Sequence, residues 1–103
     1  MNKLYDLSDF KNGFIYRTEE GDTIFFLSEK FHTTPAAIIF FNSLSAEPIP
    51  GELIYVEKIE GEKYTVKPGD TIEVISEKFR VGQDVILLKN KTDVLYVGQT
   101  IYV

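Results

Sequence analysis

Few side chains in this chain are equipped for bond-making chemistry. His32 is the one histidine in 103 residues, and no cysteine is present. Disulfides and thiolate metal sites are therefore excluded. His32 has no serine or cysteine nucleophile motif beside it, and Glu19 and Glu20 are adjacent rather than opposed, as a glycosidase pair must be. No glycine-rich phosphate loop and no metal-ligand spacing occurs. The expectation is a non-catalytic chain with no metal and no cofactor. What recurs instead is a set of small polar residues suited to shaping loops. Gly21-Asp22-Thr23-Ile24 returns as Gly69-Asp70-Thr71-Ile72, and Asn42 returns as Asn90, all at a shift of 48.

The same shift aligns Tyr16 with Tyr64, Ser28-Glu29-Lys30-Phe31 with Ser76-Glu77-Lys78-Phe79, and Ile38 with Ile86. From Tyr16 to Asn42, eleven of twenty-seven positions are identical to their counterparts. Past the asparagines the shift becomes 47, pairing Gly51 with Gly98 and Ile54-Tyr55-Val56 with Ile101-Tyr102-Val103. The chain is an internal duplication with one residue lost from a loop.

Each copy reads as β-α-α-β. Tyr64-Thr65-Val66 is β-type and is ended by Lys67-Pro68-Gly69. Asp70 with Glu73 three residues on has the spacing of a capping box, which predicts Asp22 and Asp70 as helix caps. Ile72, Ile75 and Phe79, like Ile24, Leu27 and Phe31, fall on one helical face and predict the buried side. Thr34 before Pro35 opens a second helix, which Asn42 should end, as Asn90 should in the other copy. Asparagine tolerates the left-handed backbone common at such ends. The fold class expected is α+β: two tandem units, each a two-stranded antiparallel sheet with two helices on one face. Residues 1–13 read as a tail, 14–57 as the first copy, 58–62 as a charged linker and 63–103 as the second copy. Units this small sit near the lower limit for an independent core, so packing between copies is expected.

On these residues the chain resembles the lysin motif (LysM) family, twice over. Tyr64-Thr65-Val66-Lys67-Pro68-Gly69-Asp70-Thr71-Ile72, then Ile75-Ser76, Phe79, Asn90 and Val97-Gly98-Gln99-Thr100-Ile101 follow its pattern nearly end to end. The resemblance implies non-catalytic binding of N-acetylglucosamine-containing glycans, peptidoglycan foremost and chitin-type oligomers besides. It places the sugar in a shallow groove between the loop after the first strand and the loop before the last. Carried over, the glycan-binding residues are Gly69, Asp70, Thr71, Ile72, Asn90, Val94 and Leu95, with Gly21, Asp22, Thr23, Ile24, Asn42, Leu44 and Ile49 in the first copy. The first copy departs from the pattern at Thr18-Glu19-Glu20-Gly21, where two carboxylates flank the groove. The second copy is therefore expected to bind, and the first weakly or not at all.

Charge argues against partners held through phosphate. The net charge is −5, and residues 1–60 carry five basic and ten acidic side chains against six of each in residues 61–103. Nucleic acid, which is held through basic surface, is a poor partner for it, and so is an anionic membrane. No stretch approaches the ~18 apolar residues of a membrane span, and residues 1–10 lack the apolar core of a signal peptide. Cytoplasmic synthesis, followed by association with a spore or cell wall, is the expectation. The rival reading is an assembly component, of spore-coat or phage-tail type, that works through protein contacts. Phe26 and Phe40 motivate it. Phe26 lies about 200° round the helix from Ile24, and Val74 and Leu88 keep both positions apolar in the second copy. These rings are expected to be buried, either between the copies or in a homodimer.

Overall fold

The computed structural model describes residues 13–103, so the expected tail, apart from Gly13, lies outside the described residues. The first repeat contains β1 (Gly13–Arg17), α1 (Ile24–Lys30), α2 (Pro35–Asn42) and β2 (Leu53–Glu57). The second contains β3 (Lys63–Thr65), α3 (Ile72–Phe79), α4 (Gln83–Lys89) and β4 (Thr100–Tyr102). Within each repeat the first strand pairs antiparallel with the last: Gly13 faces Glu57, and Lys63 faces Tyr102. The two sheets are separate. The α+β reading and the duplicated β-α-α-β unit hold.

The core of each repeat follows the periodicity. Ile24, Leu27, Ile38, Ile54 and Val56 form the first, and Tyr64, Val66, Ile75, Ile86, Ile101 and Val103 the second. Phe31 and Phe79 pack at the edges of these clusters, with Tyr16 and Tyr64 ring-to-ring against them at 5.1 and 5.0 Å.

The helix starts correct the sequence reading. Asp22 and Asp70 are not the caps. Thr23 and Thr71 are, their hydroxyls accepting from the Phe26 and Val74 amides. The acidic residues serve the preceding turn instead. Asp70 Oδ2 accepts from the Lys67 amide at 2.8 Å and from the Tyr64 hydroxyl at 2.5 Å. Asp22 repeats this with the Glu19 amide at 2.8 Å and the Tyr16 hydroxyl at 2.7 Å. The capping box drawn from Asp70 and Glu73 fails because a hydroxyl one residue later wins the cap. Thr34 does cap α2, accepting from the Ala37 amide, with Pro35 in the first turn.

The second helices do end at Asn42 and Asn90 as expected, but not through a left-handed asparagine. Asn42 and Asn90 do not take the left-handed conformation; Ser43 (φ 51°) and Lys91 (φ 54°) do. The asparagine carboxamides tie helix to strand. Asn90 Nδ2 donates to the Ile86 and Tyr102 carbonyls and its Oδ1 accepts from the Tyr102 amide, all at 2.8–2.9 Å. Asn42 makes the same three bonds to Ile38 and Tyr55.

A seam joins the repeats. Ala37 and Phe41 from α2, Ile59 from the segment between repeats and Tyr102 from β4 form a third apolar cluster. Residues 58–62 thus do more than tether: Ile59 is buried and its amide donates to the His32 carbonyl at 2.9 Å. Thr34 Oγ1 donates across the seam to the Asn90 carbonyl, and Lys63 pairs with Glu29 at 2.7 Å. Phe26 and Phe40 lie outside this apolar cluster, although Lys91 Nζ of the second repeat sits 5.3 Å over the Phe40 ring. They are 50% and 60% exposed, so burial between the copies is ruled out. The seam filled from Phe41 instead, one residue on from Phe40 and therefore turned ~100° toward the second repeat.

Candidate functional site

The first wall of each groove is built from a tight turn. In the second repeat the Asp70 amide donates back to the Lys67 carbonyl at 3.0 Å, with Pro68 and Gly69 at the turn's centre. Gly69 has φ 89°, a conformation that costs a side chain strain but suits glycine, and this is the third position of a type II turn. Gly21 occupies the same place at φ 92°. The aspartate after each glycine holds the turn shut. Those bonds also hold the Asp70 and Asp22 carboxyls below the ordinary 3.8, through the Tyr64 hydroxyl and Lys67 amide in one case and the Glu19 amide and Tyr16 hydroxyl in the other. Reciprocally the Tyr16 phenol is pushed up to about 12, chiefly by its hydrogen bond to Asp22. Asp22 and Asp70 are thus committed to turn geometry, and Thr23 and Thr71 to caps.

The second wall is preformed as well. Thr92 Oγ1 pairs with the Val94 backbone, and Gln99 Oε1 accepts from the Tyr96 amide at 2.9 Å. Val94 is 62% exposed, and Tyr96 and Val97 are similarly open, while Leu95 turns in against the core. In the first repeat Leu44 packs inward likewise and Ile49 is exposed. The carboxamide of Asn90 is buried with its hydrogens spent, so Asn90 positions the wall and cannot itself meet a ligand. Asn42, less deeply buried, is occupied in the same way.

The two grooves are not alike. In the first repeat Glu47 Oε1 accepts from the Ile24 amide at 2.7 Å, joining one wall to the other. In the second, no oxygen among the described residues accepts from the Ile72 amide. Leu95 turns inward where Pro48 is buried, which sets Val94 opposite Glu47. Sequence reading named Asn42, Leu44 and Ile49 on this side of the first copy and attached no role to Glu47, which lies between them. Its one visible signal was a carboxylate where the other copy has valine. Tyr96 and Val97 lie beyond Leu95, where the sequence reading ended that wall.

Among the described residues, no cluster of histidine and acidic side chains could hold a metal ion, and no helix is long and apolar enough to cross a membrane. A duplicated β-α-α-β unit, its turns and loops pinned by internal hydrogen bonds, defines a small tandem module. The LysM domain model matches residues 16–51 and 64–103, and the chain belongs to that family of glycan-binding modules. No curated protein matches the chain. Among solved structures it is similar to the spore cortex-lytic enzyme SleL of Bacillus cereus and that of Bacillus megaterium QM B1551, with TM-scores of 0.44 and 0.45. Each is 29% identical over 89% of this chain, which spans 22% of either enzyme.

Proposed function

We propose that this chain holds N-acetylglucosamine-containing glycans, peptidoglycan foremost, in the groove of its second repeat, without catalysing any change in them. The observation that carries this reading is the Ile72 amide, which has no acceptor among the described residues, together with the exposed side chain of Val94 in the loop that the family pattern sets across from it. An N-acetyl sugar supplies the complement: an amide for backbone groups, a methyl group for an apolar contact and ring faces for aliphatic side chains. A neutral sugar also suits a repeat whose basic and acidic groups balance. Residues whose side chains are spent internally, Asp70, Thr71 and Asn90, act by shaping the groove. The consequence is anchorage of the chain, or of anything fused or bound to it, to cell-wall polymer.

Co-sedimentation with insoluble peptidoglycan and with chitin, side by side, tests the reading. The protein should pellet with peptidoglycan and be released by soluble N-acetylglucosamine oligomers. Protein left wholly in the supernatant with both polymers would overturn it. One observation favours a different use of the fold. Phe40, Leu87 and Leu88 line an open cleft of about 530 Å³ with Lys91 at its edge, and exposed apolar surface of this kind commonly marks protein contacts. If neither polymer retains the protein, that cleft becomes the place to look. Replacing Phe26 and Phe40 with Ser would then split an assembly in sedimentation while leaving the fold intact.

A further inference from the structure

We infer that Glu47 closes the groove of the first repeat, so that the duplication yields one open glycan site and one held shut by the chain itself. The inference rests on the glycan-binding reading above and goes beyond it by naming the side chain that separates the two copies. Glu47 belongs to the second wall, yet its Oε1 lies 2.7 Å from the Ile24 nitrogen in the first. One side chain therefore spans the gap into which a sugar would have to fit. The groove is also shallower in apolar contact: Ile24 is only 8% exposed, while Ile72 stays partly open.

The chemistry favours the internal contact over the sugar. A carboxylate is a stronger acceptor for an amide N–H than the neutral carbonyl of an N-acetyl group. Displacing it would also bring the sugar to a repeat whose first turn carries Glu19 and Glu20. The neutral sugar brings no charge to offset theirs. In the second repeat the matching side chain is Val94, which has no acceptor atom and offers an apolar surface. The same loop thus opposes a neutral glycan in one copy and welcomes it in the other, through one residue.

The test uses the whole chain, labelled with nitrogen-15 and titrated with the N-acetylglucosamine hexamer. For the unaltered protein, amide signals of residues 69–72 and 92–95 should move while those of 21–24 stay still. Glu47→Ala, a change at an exposed side chain, should add residues 21–24 and 44–49 to the set that moves. The reciprocal Val94→Glu should weaken the second site by at least about tenfold, the effect of competing with one hydrogen bond of ordinary net strength. A first repeat that responds as strongly as the second in the unaltered protein would overturn the inference. So would a Glu47→Ala chain that still responds only at the second repeat, or a Val94→Glu chain that binds undiminished. Those outcomes leave glycan binding by the second repeat standing. If no amide in either repeat moves in any of the three chains, the glycan reading itself falls and takes this inference with it.

Discussion

Asp22 and Asp70 show how one carboxylate can replace several weaker determinants of a turn. Each gathers a tyrosine hydroxyl and a backbone amide, and each titrates below the usual aspartate range in consequence. The sign of the pH dependence follows from that direction. A carboxyl whose pKa is depressed by folding contributes stability that is fully present above its unfolded value of 3.8 and is lost as pH falls through the folded one. Denaturant melts of the parent and of Asp70→Asn should therefore differ at pH 6 and converge on acidification below about 4. A gap between the two that stays constant down to pH 2.5 would mean that the lost bonds do not depend on charge. At this scale the sequence was only half legible. Glycine at the turn and aspartate beside it were correctly marked as special, because few residue types tolerate those places. Which of Asp70 and Thr71 would cap the helix was not legible, since both are good caps and only the path of the turn decides between them.

At the scale of elements, what fixes each repeat is the tie from helix to closing strand through one asparagine. Asn90 spends both side-chain hydrogens and its oxygen on backbone of α4 and β4, in a fully buried position. Asn90→Ala would remove these bonds and leave the Tyr102 carbonyl and amide without partners, while the Ile86 carbonyl keeps its bond from the residue 90 amide. Each orphaned group costs about 1–3 kcal/mol, so the variant should lose roughly 2–4 kcal/mol. Equilibrium urea unfolding checks this, and a loss under 1 kcal/mol would show that water replaces the side chain freely. The elements themselves were readable from period and punctuation: Ile72, Ile75 and Phe79 on one face, Thr34-Pro35 at a helix start, the paired Ile-x-Val strands. The asparagine's use was not. Local pattern marks it as a helix end, whereas its partners lie on a strand twelve residues downstream.

For the molecule as a whole, the seam makes the two repeats one unit of stability. Ile59, Tyr102 and Ala37 bury one another there, and the Tyr102 hydroxyl is enclosed with no hydrogen-bond partner among the described residues. Two predictions follow from opposite signs of the same burial. Ile59→Ala should cost about 2–4 kcal/mol and turn one calorimetric transition into two, whereas a single unaltered transition would show the seam to be incidental. Tyr102→Phe, by discarding a buried unsatisfied hydroxyl, should leave stability unchanged or raise it by about 1 kcal/mol; a clear loss would mean that the hydroxyl has a partner after all. Neither residue announced this role, because a charged run around Ile59 looks like a linker and Tyr102 looks like any strand tyrosine. Pairing first strand with last has a further consequence in time. Gly13 must wait for Glu57, and the apolar face at Ala37, Phe41 and Ile59 must wait for Tyr102. At ribosomal speeds of about 5–20 residues per second, that face stays uncovered for seconds after the first repeat has emerged. During that interval two nascent chains held side by side on one message could each lend the other a second repeat, giving an exchanged dimer whose seams are chemically identical to those of the monomer.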